Sequence, residues 1–269
     1  MLAKIKLYLQ DFWRYRYLLQ NLVGRDFKLK YRRSVLGVLW SVLNPLLMCL
    51  VYWAVFSSLP GFRGNIPNFA VYLLCGQLMF NFFSDATSSG MSSVLSAAPL
   101  LKKVYIPKYI FPMEKCCFSM VNTCFSFVAL LLVILFTGSP LHFTIVLAVY
   151  PLATMFLFSF GIALALSAFT VFFRDIMHMW GIFTTALMYF SAIFYDPAAM
   201  TSMTGGFNLQ SLIHLNPVYW YITGFRQCVL YGELMSPTML VVCGGCALVS
   251  LTVGMIIFKK TQDKFVLHI

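Results

Sequence analysis

Along its length the chain alternates between long charge-free apolar runs and short basic segments. Arg25-Asp26-Phe27-Lys28-Leu29-Lys30-Tyr31-Arg32-Arg33-Ser34 leads directly into an apolar run that meets no charge until Arg63. One side of that join favours water or anionic headgroups and the other favours hydrocarbon, so it marks a membrane boundary. The charge-free stretches then predict six spanning helices: about 35–57, 64–84, two between Lys115 and Arg174 joined by the turn Thr137-Gly138-Ser139-Pro140, 176–195, and 234–258. Ahead of them Leu2, Ile5, Leu9, Phe12, Leu19, Leu22 and Val23 recur at helical spacing among Lys4, Lys6, Arg14 and Arg16. That spacing predicts an amphipathic helix on the inner leaflet, not a cleavable signal peptide, because no apolar core ends in a small-residue site. A helix packed on a soluble partner would show the same spacing.

Charge decides the orientation. With the amino terminus inside, 17 of the 19 Lys and Arg residues fall on cytoplasmic segments, and only Arg63 and Arg226 do not. Both termini are therefore expected in the cytoplasm. At 61% hydrophobic and 10% charged, the chain holds far less charge than the roughly 25% of soluble proteins. An all-α polytopic membrane protein follows, with residues 1–33 as a cytoplasmic interface segment and 34–269 as the six-span domain, ending in the tail 259–269. The net charge of +11 does not indicate nucleic acid, because the positive residues flank the spans. Lys28, Lys30, Arg32 and Arg33 would hold the headgroups of diphosphate-linked or other membrane lipids near an entrance, at roughly 1 kcal/mol per charge. Topology signalling alone would also explain them.

Two segments do not read as spans. The loop 91–112 carries Pro99, Pro107 and Pro112, which break it into short pieces. It predicts a short helix from about Ser92 to Ala98, including Leu95 and Ser96, followed by Pro99, with Lys102 and Lys103 facing water. Such a surface suits docking of a cytoplasmic protein; a basic loop that only anchors the topology is the alternative. The segment 196–236 is nearly uncharged yet polar, through Gly205, Gly206, Asn208, Gln210, Ser211, His214 and Asn216. Two short helices dipping back into the outer leaflet are expected there, the second beginning after Asn216-Pro217. They form a candidate outer gate containing Asn216, Pro217, Tyr219, Trp220 and Arg226, with a surface hairpin as the alternative.

Catalytic chemistry is sparse. No phosphate-cradling Gly-x-x-x-x-Gly-Lys-Ser/Thr motif exists, and His142, His178, His214 and His268 lie on separate segments. Cys243-Gly244-Gly245-Cys246 falls inside the sixth span, where small residues at a close helix contact explain it better than a metal or redox role. Asp85 is the one acid near a span considered, and it is expected to end span two in cytoplasmic water. The outer acids Asp196 and Glu233 and the imidazole of His214 are far apart in sequence, which argues against a membrane-embedded glycosyl- or acyltransferase. Among the 46 aromatic residues, Trp40, Tyr52, Phe56, Phe83, Tyr189, Phe190 and Tyr195 are candidates to line a passage for a sugar polymer, whose C–H faces slide on aromatic rings. Interfacial belts and lipid-facing packing are the competing account.

Several segments in order carry a family resemblance: the basic join with Gly37, Trp40 and Asn44-Pro45; Leu100-Leu101-Lys102-Lys103-Val104-Tyr105-Ile106-Pro107-Lys108; Phe172-Phe173-Arg174-Asp175-Ile176; and Asn216-Pro217 leading to Phe225-Arg226. The chain resembles the membrane subunit of bacterial ABC-type polysaccharide and polyol-phosphate exporters, whose members move O-antigen, capsule-like and rhamnan polysaccharides or teichoic acid. The resemblance implies a homodimer in the bacterial plasma membrane, each copy bound to an ABC ATPase subunit that carries ATP and Mg, with no cofactor on this chain. It also implies that Arg25 and Asp26, on the amino-terminal helix, and the loop 92–103 couple to the ATPase, and that the cargo is a lipid-linked polymer. Ile106 and Lys108 stand where the family often has Phe and Arg. A drug exporter of the same ABC class is the alternative.

Overall fold

The computed structural model describes residues 2–32, 34–58, 64, 66–104, 106–197 and 213–267, and only the backbone at 2–14 and 266–267. Arg33, Arg63, Tyr105, His268 and the stretch 198–212 of the expected outer segment lie outside the described residues. The described residues are helical, with no strand. The helices are α1 (Leu2–Tyr31), α2 (Trp40–Phe56), α3 (Phe69–Ser96), α4 (Ala98–Leu101), α5 (Ile110–Phe136), α6 (Val149–Phe172), α7 (Ile176–Tyr189), α8 (Pro217–Arg226) and α9 (Pro237–Thr261). A 3-10 turn at Gly37–Leu39 leads into α2, another at Phe143–Ala148 leads into α6, and a π-helical segment, Gln227–Tyr231, follows α8.

Five helical stretches among the described residues are long and apolar enough to cross a bilayer: Gly37–Phe56, Phe69–Ser96, Ile110–Phe136, Phe143–Phe172 and Pro237–Phe265. The helix α3 is their central column, 78% buried over its apolar window against 11% for the first stretch. Asn68 starts it by accepting the Val71 N–H at 3.2 Å. It then runs past its expected end at residue 84. No proline intervenes, and Thr87, Ser92, Ser93 and Ser96 donate their hydroxyl protons to carbonyls three or four residues back, so these polar side chains stay within the helix. The separate helix expected from Ser92 is therefore the last turn of α3. The break comes at Ala97, and α4 begins anew with Pro99 in its first turn.

Helices α6 and α9 run parallel, tied by Tyr150 donating to the Leu240 carbonyl at 2.7 Å and Ser250 donating to the Phe158 carbonyl at 2.8 Å. Their backbones meet at Gly161 and Gly254, where a Cβ on Gly254 would overlap the Gly161 carbonyl. At the expected contact, Gly244-Gly245, the two glycines differ: a Cβ on Gly244 would come within 3.0 Å of the Tyr150 hydroxyl on α6, whereas Gly245 faces open space.

The fifth expected span is also revised. Helix α7 has 14 residues, about 21 Å at 1.5 Å per residue, against a hydrocarbon core of about 30 Å. It stops at Tyr189, and Ala192 turns the chain with φ of 49°. The released carbonyls are not left bare. Arg226, 2% exposed, donates from Nη1 to Ala192 at 2.9 Å, from Nη2 to Ile193 at 3.1 Å and from Nε to the Tyr72 carbonyl at 3.2 Å. Its guanidinium lies 3.4 Å from the Tyr72 ring centroid, while the Tyr72 hydroxyl donates to Ala192 at 3.1 Å or Tyr195 at 2.9 Å. Asn216 caps α8 by accepting the Val218 N–H and donates to the Phe190 carbonyl and the Ser191 hydroxyl. An apolar run from 176 to 195 cannot reveal these captures, because the capturing residues are remote in sequence.

At the opposite end of the bundle α1, α4, the start of α5 and the carboxyl-terminal segment converge. Leu22, Ile106, Ile110 and Phe111 form a cluster flanked by Leu18, Leu19, Leu100 and Leu101. Lys108 donates to the Gln262 carbonyl. The Asp26 carboxylate accepts from Lys115 and, at 2.9 Å, from Arg25. Burial acts to raise the Asp26 pKa, but hydrogen bonds and charge from Lys115 and Arg25 hold it below the ordinary 3.8.

Three outcomes follow. Arg226→Met removes three hydrogen bonds to carbonyls and is expected to cost about 3 kcal/mol, lowering the thermal midpoint in detergent by roughly 6–12 °C; Arg226→Lys should fall between. Gly254→Leu should destabilise by about 1–3 kcal/mol of overpacking and lower the midpoint accordingly, whereas Gly245→Leu should match the parent in the same heated size-exclusion assay. A carboxylate whose pKa is lowered on folding stabilises above its unfolded value and loses that contribution as pH falls through the folded one. Asp26→Asn is therefore expected to cost on the order of 1 kcal/mol of stability at pH 7, read as a lower midpoint, with the difference from the parent closing below about pH 3.8 in a pH series.

Candidate functional site

The last turn of α1 is folded back over the start of α2. Ser34 accepts the Gly37 N–H at 3.1 Å, and Gly37 turns the chain at φ of 51°, in the left-handed region that suits glycine. This brings Lys30 and Tyr31 against Trp40 and Ser41. The Tyr31 hydroxyl hydrogen-bonds to the Ser41 hydroxyl and donates to Asn122 Oδ1 at 3.3 Å, while Ser126 donates to the Ser41 carbonyl at 3.0 Å. These bonds hold α1, α2 and α5 at a fixed spacing, and α3 closes the fourth side.

The space between the four helices is a cleft of about 300 Å³, lined by Lys30, Tyr31, Trp40, Ser41, Asn44, Pro45, Leu78, Asn81, Phe82, Asp85, Asn122, Thr123 and Ser126. The side chains of Asn44, Asn81 and Asp85 are exposed to it and hydrogen-bond to no described residue. Lys30 places its ammonium 5.5 Å from the ring centroids of both Tyr31 and Phe118, and its charge acts on Asp85. Polar side chains at membrane depth stand against protein or a wet cavity, because lipid cannot satisfy them. The cleft thus gathers carboxamides, hydroxyls, one carboxylate, one ammonium and an indole where the surrounding helices are apolar.

Helix α3 continues 11 residues beyond Asp85, so this carboxylate does not end the helix and faces the cleft from within it. Sequence reasoning also passed over Asn81, Asn122 and Ser126. Their signal was the four-residue spacing of Gln77, Asn81 and Asp85, and of Asn122 and Ser126, on otherwise apolar helices. It missed Glu114 too, which is 2% exposed in the first turns of α5, with Oε2 3.3 Å from Lys115 and Oε1 unpartnered among the described residues.

The expected entry residues Lys28, Lys30 and Arg32 are exposed on and just after the last turn of α1. Lys102 and Lys103 are exposed beyond α4, whose Leu100 and Leu101 pack beside the Leu22 cluster. Leu95 packs against a second cluster, which includes Val94 and Phe258. Hence the expected coupling residues fall into one region: Arg25 and Asp26 on α1, Ser92 and Ser96 on the end of α3, and Pro99 in α4.

The expected passage aromatics separate. Tyr52, Phe56 and Tyr189 gather round Phe194 at centroid distances of 4.9, 4.9 and 6.2 Å. Trp40 is 44% exposed at the cleft and Phe190 41% exposed beyond α7. Phe83 is fully enclosed against Phe158 and Trp180, and Tyr195 is buried, donating to the Tyr189 carbonyl at 2.9 Å. These two offer no open face in the single chain. At the other end of the bundle, Tyr219 and Trp220 cluster with His214 at 5.4 Å each, and Trp220 Nε1 donates to the His214 carbonyl at 2.7 Å. Pro217 occupies the first turn of α8 after the Asn216 cap.

Comparison with known proteins supplies the family. The chain is 29% identical over 265 residues to the O-antigen export system permease protein RfbA of Myxococcus xanthus, covering 95% of this chain and 96% of that protein. Two Klebsiella pneumoniae proteins of the same name are each 24% identical, over 92% of this chain and 93% of theirs. The family model described as ABC-2 type transporter matches residues 17–230, a range that includes α1's clamp to α5, the polar cleft and the Arg226 node. The chain belongs to the ABC-2 type transporter family of membrane proteins.

Proposed function

We propose that the chain is the permease subunit of an ATP-driven exporter that moves a lipid-linked polysaccharide, or a teichoic-acid-like polymer, across the bacterial inner membrane. The observation that carries this reading is the end-to-end correspondence with permeases named for O-antigen export. Two copies form the conduit, each bound to an ATPase subunit that holds ATP and Mg. Chemistry on the cargo is not this chain's task.

The geometry supports the reading at both ends. The α1, α4 and carboxyl-terminal segments, which carry Lys28, Lys30, Arg32, Lys102, Lys103 and Lys264, converge at one end of the bundle, in agreement with a cytoplasmic face and both termini inside. Residues 1–33 form the interface segment and the rest the membrane domain. Six crossings result when α7 is counted together with the captured backbone 190–195. Lys102 and Lys103 offer the ATPase a basic surface, and the Asp26 clamp carries its movement from α4 and α1 into α5. Lys28, Lys30, Arg32 and Arg33 attract the anionic headgroup of the cargo. The exposed rings of Trp40, Tyr189 and Phe190, with the half-buried Tyr52 and Phe56, suit a passage formed with a second copy, since α2 and α7 leave large apolar side chains such as Leu50, Met179 and Ile182 uncovered in one chain. Asn216, Pro217, Tyr219 and Trp220, seated on the Arg226 node, form the outer gate.

In proteoliposomes containing this chain and its co-expressed ATPase, ATP hydrolysis is expected to rise on addition of a lipid-linked glycan and to ignore amphipathic drugs. Cysteine placed by Lys103→Cys should cross-link to the ATPase, and Ser139→Cys should not. Stimulation by drugs alone would move the chain to the drug-export class, and equal labelling of both cysteines from one side of the membrane would refute the orientation.

A further inference from the structure

We propose that the cleft between α1, α2, α3 and α5 is a subsite for an uncharged, hydroxyl-rich group, a sugar unit next to the lipid anchor, and not for a phosphate. The proposal rests on the exporter reading for the origin of that sugar. Its chemical basis is independent of it.

Three features of the lining select the ligand. First, the free hydrogen-bonding capacity is mixed. The carboxamides of Asn44 and Asn81 each bring two donor hydrogens and an acceptor oxygen, and the Asp85 carboxylate brings acceptors only. None of the three hydrogen-bonds to a described residue, and Asp85 meets only the charge of Lys30. Vicinal hydroxyls, each both donor and acceptor, match that set; a phosphate, which at neutral pH chiefly accepts, would meet the acceptor-only carboxylate. Second, the charges in the cleft oppose each other. Lys30 is the cation among the described lining residues and Asp85 the anion, so no surplus of positive charge draws a dianion inward. The neighbouring exposed cations of α1 and its end, Arg25, Lys28 and Arg32, are not part of the lining. An anionic headgroup would therefore rest at the surface while the neutral unit beside it enters. Third, Trp40 presents an indole at 44% exposure beside these amides, and an aromatic face next to hydrogen-bonding side chains suits the C–H face and rim hydroxyls of a pyranose. A volume of about 300 Å³ lies at the small end of the range for ligand sites, suited to one sugar unit and too small for a folded oligosaccharide.

The test uses the full chain with its ATPase in nanodiscs and follows the part of the tryptophan emission that disappears in Trp40→Phe. Titration with a panel of neutral disaccharides is expected to give a saturable change for at least one of them. Inorganic diphosphate should give none. Asn81→Leu and Asp85→Ala, checked for an unchanged size-exclusion profile, should weaken the half-saturating concentration at least tenfold, and a lipid-linked glycan should displace the disaccharide. The parent's preference between disaccharide and diphosphate tests the idea even if both variants fail to fold. A response to diphosphate alone makes the cleft an anion site and overturns the proposal. So does silence towards every disaccharide, failure of the lipid-linked glycan to compete, or zero-length cross-linking of Asn81→Cys to the second copy, which would mean that a protein surface fills the space. Silence of Trp40 with glycan-stimulated ATP hydrolysis intact would remove the subsite and leave the exporter reading standing.

Discussion

A peptide group released from a helix into a buried, apolar part of a bundle has no solvent to turn to, and this chain releases several of them in the residues after Tyr189. The fold accommodates that break by delivering donors from other parts of the sequence: a guanidinium from the end of α8, a phenol from the first turn of α3, and a carboxamide from the cap of α8. Each donor is itself fixed by the element that carries it. The positions of α3, α7 and α8 are thus mutually dependent, because the same bonds join all three. A buried cation is costly in an apolar bundle. Here the cost is offset by three carbonyls and the face of a tyrosine ring, which together replace much of the hydration that Arg226 loses.

The same reasoning explains which parts of the molecule could be read from its sequence. Apolar runs and basic boundaries report how a segment partitions between lipid and water, so the helical class and the approximate positions of the long helices were legible. Proline and asparagine act locally, which is why the start of α8 at Pro217 could be foreseen. The end of α3 could not, because serines that bond back to their own helix carry no hydropathy signal of continuity. The shortening of α7 was equally hidden, since Arg226 and Tyr72 lie 34 and 120 positions from the backbone they satisfy. Within the cleft, Lys30 and Trp40 were visible as members of a boundary, while Asn81, Asp85 and Asn122 meet only once the helices are packed. The tight crossing at Gly161 and Gly254 shows the limit from another side: small residues are frequent in the chain, and only backbone geometry tells which pair touches.

The two polar regions differ in how complete they are. Around Arg226 the named donors and acceptors find each other within the chain, which suits a structural joint. In the cleft the walls are braced by Tyr31, Ser41, Asn122 and Ser126, yet Asn44, Asn81 and Asp85 remain free to meet something else. Satisfied polarity fixes a shape; unsatisfied polarity on fixed walls is what recognition of a ligand requires.

Helix α3 touches both regions and extends beyond them. Its 28 residues make an uninterrupted rod of about 42 Å, with Tyr72 near one tip, Asp85 towards the other half and α4 joined to the far end. A stiff rod has no joint in which a rotation can be absorbed. Whatever tilts the end beside α4 therefore re-aims the phenol that holds the broken backbone at the opposite leaflet, and the two faces of the protein are mechanically in register without any relay of side chains between them.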